Sequence, residues 1–164
     1  MELPKFNKQA AFKYLTEKVQ AELDGLKEAY NSTKDYTTDE EAKAESKWDT
    51  QSIEAGYLAG AQKVRVDELE QELKLLEEAE IRKFTAEETV EIGSIVTLKT
   101  NNKVMNYFLL ATAGGEMINL DGQVLLTTTV FSPLGQELIG MNVGEEFEVE
   151  TPKENRIYKI LGQQ

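Results

Sequence analysis

Neither cysteine nor histidine occurs among the 164 residues. The first absence excludes a disulfide framework and any thiolate metal site. The second removes the usual general base near neutral pH, the Ser-His and Cys-His nucleophile pairs, and every histidine-based zinc site. Whatever chemistry the chain takes part in must run on carboxylates, lysine, tyrosine or backbone groups. Long apolar runs are missing as well. No stretch approaches the ~18 consecutive apolar residues of a membrane span, and the opening MELPKFNKQAAF lacks the apolar core of a signal peptide. The expectation is a cytoplasmic protein with no membrane partner. Positive charge is scarce: the net charge is −12, spread over both halves. Such a surface repels phosphate backbones, which argues against free nucleic acid as the main ligand and for a basic protein partner or a shared metal ion.

Proline is also nearly absent, and from Phe6 to Arg82 there is none. Over that span apolar residues recur at steps of three and four. Phe12, Leu15, Val19, Leu23, Leu26 and Tyr30 form one run, and Val66, Leu69, Leu73 and Leu76 another. Charged residues fill the positions between. This is the narrow stripe of a coiled-coil helix, and two such segments bury it by pairing antiparallel. Two places suit the turn. Asn31–Thr38 is rich in poor helix formers and leads into two capping-box patterns, Thr37-x-x-Glu40 and Thr38-x-x-Glu41. Residues 45–50, Glu-Ser-Lys-Trp-Asp-Thr, offer Asp49 or Thr50 as a new cap and leave arms of matched length. The second is preferred, with 31–38 a kink or break in the first arm.

After Lys83 the period shortens. Residues 90–92, 94–98, 104–110, 123–128, 146–150 and 156–160 are short β-branched or aromatic runs, separated by turn signals at 100–103, 113–115, 120–122 and 151–155. Ser132–Gly140 is the one short helix, with Ser132 as N-cap, Pro133 in the first turn and Gly140 as the stop. The fold class is therefore α+β: a helical hairpin over residues 1–84 and a small β-rich domain over 85–164.

Three features invite a functional reading. Residues 35–54 hold seven carboxylates, Asp35, Asp39, Glu40, Glu41, Glu45, Asp49 and Glu54, against two lysines. They are either a solvated helix face or, at a tip bearing Glu45 and Asp49, oxygen ligands for Mg²⁺ shared with another protein's active site. Trp48, the only tryptophan, either inserts into a partner or folds back on Tyr36 or Tyr57. Ala55–Ala61 is a run of small residues without the Lys-Ser/Thr of a phosphate loop, and reads as a place of close helix–helix approach.

Several segments together resemble one family. Ser132-Pro-Leu-Gly-Gln-Glu-Leu-Ile-Gly140 is similar to the Ser-Pro-x-x-x-x-Leu-Ile-Gly segment of the bacterial Gre (GreA/GreB) transcript-cleavage factors. Val143–Pro152 and Tyr158–Leu161 follow it as they do there. Glu22–Lys27 and Arg65–Glu70 resemble stretches of the two Gre hairpin helices, so the likeness runs through almost the whole chain. It implies an FKBP-like C-terminal domain that docks on RNA polymerase, with Ser132, Pro133, Leu138, Ile139 and Gly140 at the contact. It further implies a coiled coil that enters the polymerase's secondary channel. There Trp48 touches the partner, and Glu45 and Asp49 act as metal-binding, catalytic acids for a second Mg²⁺ that the factor does not hold stably alone. Contact with RNA is indirect, the factor is a monomer, and the cleavage it stimulates is the polymerase's own. Counted without gaps from Lys27, Asp49 falls on the second acid of the Gre tip, and Glu45 lies one residue before the first. The acids here are thus four apart instead of three, the tip glycine is missing, and Trp-Asp-Thr intervenes.

Overall fold

The computed structural model describes residues 2–38 and 50–164, with side chains described for 2–33 and 53–164. The elements are α1 (Lys8–Thr38), α2 (Thr50–Glu78), β1 (Ile95–Thr100), β2 (Lys103–Leu110), β3 (Met117–Leu120), β4 (Gln123–Thr129), α3 (Pro133–Leu138), β5 (Glu146–Glu150) and β6 (Asn155–Gln163). They fall into two compact units: Met1–Leu15 with Glu78–Gln164, and Thr16–Glu77.

In the helical unit the expected stripes are buried: Val19 and Leu23 on α1, and Val66, Leu69 and Leu76 on α2. Leu26, Tyr30 and Leu73 continue both seams half-buried at the same four-three spacing. Glu22 pairs with Arg65 at 2.9 Å and Lys27 with Glu70 at 2.9 Å. These exposed pairs add little stability. Were the helices parallel and level at Glu22 and Arg65, Thr38 and Thr50 would stand about 46 Å apart along the axis. Twelve residue steps reach at most about 43 Å. The helices therefore run antiparallel.

The structure corrects two expectations here. Residues 31–38 are continuous helix, neither a turn nor a break in the arm. Thr33 shows why the poor helix formers are tolerated: its hydroxyl donates to the Ala29 carbonyl one turn back at 2.9 Å, which removes its competition with the helix ladder. The second proposed turn, residues 45–50, lies outside the described residues but for Thr50, where α2 starts. The small-residue run is also not a tight helix contact throughout. A Cβ added at Gly56 or Gly60 would meet nothing within 4 Å, whereas Ala55 and Ala59 sit half-buried on the seam side.

The other unit is built on one six-stranded sheet in the order β3-β4-β2-β1-β6-β5. All neighbours are antiparallel except β2 and β4, which run parallel because β3 carries the chain back at the outer edge. Asn101 and Asn102 (φ +46° and +63°) turn β1 into β2, and Asp121 and Gly122 (φ +52° and +82°) turn β3 into β4. Both are two-residue turns whose twist matches the strands. β3 was not expected from the sequence: four residues between two turn signals carry too little pattern. Residues 90–92 form no strand, yet Val90 still bonds like one, accepting from Gly140 N at 2.8 Å and donating to Met141 O at 2.8 Å.

Successive strand residues face opposite ways, so each side of the sheet needs a cover. On one side Val96, Leu98, Leu109, Phe147, Val149, Tyr158 and Ile160 pack with Val90 and with Leu138 of α3. On the other, Phe108 meets Phe12 of α1 edge to face at 5.2 Å. The extended N-terminal segment joins this cover, with Gln164 accepting from Phe6 N at 3.0 Å and donating to Pro4 O at 2.9 Å. The first turns of α1 thus belong to the sheet's core.

Lys8 locks that arrangement. Its buried ammonium donates to the carbonyls of Arg82 and Gly93, both at 2.7 Å, and lies 4.6 Å from the centre of the Phe84 ring, on which the Arg82 guanidinium also sits. Burial, reinforced by the Arg82 charge and opposed by Glu88, lowers the Lys8 pKa to about 8. A lysine whose folded pKa lies below its unfolded value binds fewer protons folded than unfolded between about pH 8 and 10.5. Its contribution to stability therefore rises with pH through that window. The neutral amine keeps two donors for the two carbonyls. In urea unfolding at pH 7 to 10, wild type should gain stability relative to Lys8→Met as the pH passes 8. A difference that stays flat or shrinks would contradict this account.

Candidate docking site

The Ser132–Gly140 segment forms one end of the β-rich unit, and its polar groups are used internally. The Ser132 hydroxyl donates to Thr129 O at 2.8 Å, accepts from Gly135 N at 3.0 Å, and lies 2.7 Å from the Thr128 hydroxyl. Ser132 has one hydroxyl proton, so Thr128 is the donor in that last contact. The residue caps α3 and ties it to the end of β4. A Cβ at Gly135 would overlap the Thr129 carbonyl oxygen, so only glycine lets helix and strand approach this closely. Leu138 is fully buried in the core. Gly140, at φ +82°, donates to Val90.

Of the five residues expected at the contact, Ser132, Leu138 and Gly140 therefore build the scaffold. Pro133 and Ile139 face solvent, Ile139 with 44% of its surface exposed. Just before them in the chain is a residue the sequence reading passed over: Phe131, 75% exposed. A signal for it was present. An apolar residue just before an N-cap normally packs on the fourth helical residue, but that position here is Gln136, whose side chain donates to the Phe131 carbonyl at 3.2 Å instead. Phe131 has no staple partner, and it stands out as an apolar anchor beside Pro133 and Ile139.

Behind this end, the segment joining α2 to β1 is held firmly. Arg82 pairs with Glu88 at 2.8 Å and Glu91 at 3.5 Å. The Thr85 backbone N–H, then Arg82, holds the Glu88 carboxyl below its ordinary range. Gln163 on β6 donates to the Thr85 and Glu88 carbonyls. The other expected site residues, Glu45, Trp48 and Asp49, lie outside the described residues. Among the described residues, no group of three or more Asp or Glu side chains is placed to hold a metal ion, and no helix is long and apolar enough to cross a membrane.

Residues 85–162 match the family model "Transcription elongation factor, GreA/GreB, C-term". Over these residues the chain is similar to the C-terminal domain of the GreA/GreB factors. No curated protein matches it. Among solved structures, "Structure of the transcription factor Gfh1" is 20% identical, covering 91% of this chain and 92% of that one, with a TM-score of 0.41. The GreA factor homolog 1 (Gfh1) of Thermus thermophilus is 22% identical, over 91% and 94%, with a TM-score of 0.37. A GreA/GreB elongation factor from Nitrosomonas europaea is 17% identical, over 58% and 78%, with a TM-score of 0.35. At these scores the likenesses add no weight to the domain match. Together, the helical pair and this β-rich domain make the chain α+β.

The segment's packing makes its own prediction. Gly135→Ala forces α3 off β4 and should cost about 2–4 kcal/mol in chemical denaturation, while Ser132→Ala, which loses a cap and orphans Thr128, should cost about 1–2 kcal/mol. Equal, negligible losses for both would mean that this corner is not packed as described.

Proposed function

We propose that this chain is a transcription elongation factor that binds RNA polymerase through its GreA/GreB domain and presents the tip of its helical hairpin to the polymerase active site. The observation that carries the reading is the match of residues 85–162 to the family domain. The exposed Phe131, Pro133 and Ile139, standing on a rigid scaffold, supply what a docking face needs: apolar anchors that are already ordered before the partner arrives.

In this reading the hairpin carries Glu45 and Asp49 into the secondary channel. Two carboxylates suit Mg²⁺, which takes hard oxygen ligands and usually only one or two from protein. A second Mg²⁺ held there would polarise water for hydrolysis of backtracked RNA. The factor's part is to place two acids and to add no independent activity, so RNA is touched only inside the polymerase, in the cytoplasm. The net charge of −12 fits this division of labour, since the chain repels free nucleic acid and relies on a protein partner for access.

The tip sequence favours a second reading in one respect. With the acids four apart instead of three and the tip glycine absent, the hairpin would occupy the channel and regulate the polymerase without supporting cleavage. One purified system separates the two. With a backtracked complex, RNA release that is lost in Glu45→Ala and Asp49→Ala, with binding retained, selects the cleavage role. Binding that competes with an active cleavage factor yet releases no RNA selects the regulator. Phe131→Asp and Ile139→Asp should each weaken polymerase binding at least tenfold in either case, with an unchanged melting temperature. Unweakened binding in both variants would move the docking face elsewhere.

A further inference from the structure

The outward face of α2 carries a second apolar stripe that the hairpin does not use. Ile53, Tyr57, Gly60 and Val64 follow one another at steps of four, three and four, which puts them on one side of the helix. Their large members are exposed: Ile53 by 54%, Tyr57 by 77% and Val64 by 58%. Gly60 has open space where a side chain would stand. The seam residues Ala59, Gln62 and Val66 point the other way, so these four are not the edge of the hairpin core. Within this stretch lies the longest uncharged run of the two described helices: from Ala55 to Gln62 there is no charge, in a chain of net charge −12.

We infer that this face binds a second copy of the chain, helix against helix in antiparallel register. The pattern is self-complementary about a point between Leu58 and Ala59. Reversal there places Tyr57 of one copy over Gly60 of the other, twice by symmetry, and Ile53 against Val64. A large ring meets a vacant glycine and two branched side chains meet each other, the isologous match a two-fold axis demands. Charge points to the same occupant. Two copies of so acidic a chain repel one another almost everywhere, and this neutral strip is where their helices can touch without opposing carboxylates. The area decides the strength. Covering the exposed parts of Ile53, Tyr57 and Val64 on both copies buries on the order of 1,000 Å², below a standard stable interface and typical of a transient one. The dimer is therefore weak, forms at high concentration, and leaves a monomer when dilute.

The inference does not depend on polymerase, and its test uses the full chain alone. In sedimentation velocity, wild type should pass from monomer to dimer with a dissociation constant on the order of 100 µM. Tyr57→Glu and Val64→Glu should each weaken the dimer at least tenfold. Gly60→Leu is the decisive variant. It fills the vacancy that receives Tyr57 and should weaken association equally, yet it replaces an exposed helical glycine and should raise the melting temperature. Because the chain has no cysteine, Ile53→Cys/Val64→Cys should oxidise to a covalent dimer. Wild type that stays monomeric up to about 1 mM would overturn the inference. So would a dimer whose strength Gly60→Leu and Tyr57→Glu both leave unchanged.

Discussion

The constraint on which the rest depends is that a single six-stranded sheet has two apolar faces, and the chain between its strands provides only one short helix. That helix, α3, covers one face through Leu138. The other face must be closed by residues from the opposite end of the chain, and the first turns of α1 do this through Phe12 against Phe108. Burying these rings is worth a few kcal/mol each, more than any surface pair in the molecule supplies. The consequence is that α1 begins in the core of one unit and continues into the other.

Lys8 makes that anchorage specific. A buried ammonium is costly unless its donors are met, and two backbone carbonyls, from Arg82 and Gly93, meet them while the Phe84 ring faces the charge. Lys8 itself belongs to α1, Arg82 and Phe84 to the segment after α2, and Gly93 to the turn before β1. One side chain thus gathers three parts of the chain at the root of both helices. An apolar residue there would pack against the ring but leave two carbonyls without partners. Lysine is kept for the bonds it makes, at the expense of a depressed pKa.

The same division between framework and free surface runs through the Ser132–Gly140 segment. Ser132, Gly135, Leu138 and Gly140 spend their groups on holding α3 to β4 and Val90. Because they do so, Phe131, Pro133 and Ile139 are presented in a fixed arrangement. A motif that looks continuous in sequence is two interleaved sets in space, one set packing inward and the other exposed to solvent. Outside this end, the acidic character of the chain limits what it can touch, and the exceptions are the uncharged stretches where large apolar side chains remain exposed.

Periodicity alone carried much of the architecture. Steps of three and four over Phe12–Tyr30 and Val66–Leu76 made a paired coiled coil necessary, because a stripe that narrow is buried only by a second one. The alternating runs after Lys83, with Asn-Asn and Asp-Gly between them, made a sheet with tight turns necessary, because backbone twist limits which residues can reverse a strand. The chemistry excluded by the missing cysteine and histidine was legible in the same way. Other features depended on distant contacts. Thr33 satisfies itself inside the helix, so a segment of poor helix formers stays helical. Four-residue β3 exists because β4 was already there to pair with it. Which of Ser132, Pro133, Leu138, Ile139 and Gly140 face outward, and that Phe131 joins them, was settled by where Thr129 and Val90 stand. Local sequence determines what a segment can form; burial and hydrogen-bond partners supplied from far along the chain decide which of its side chains remain free.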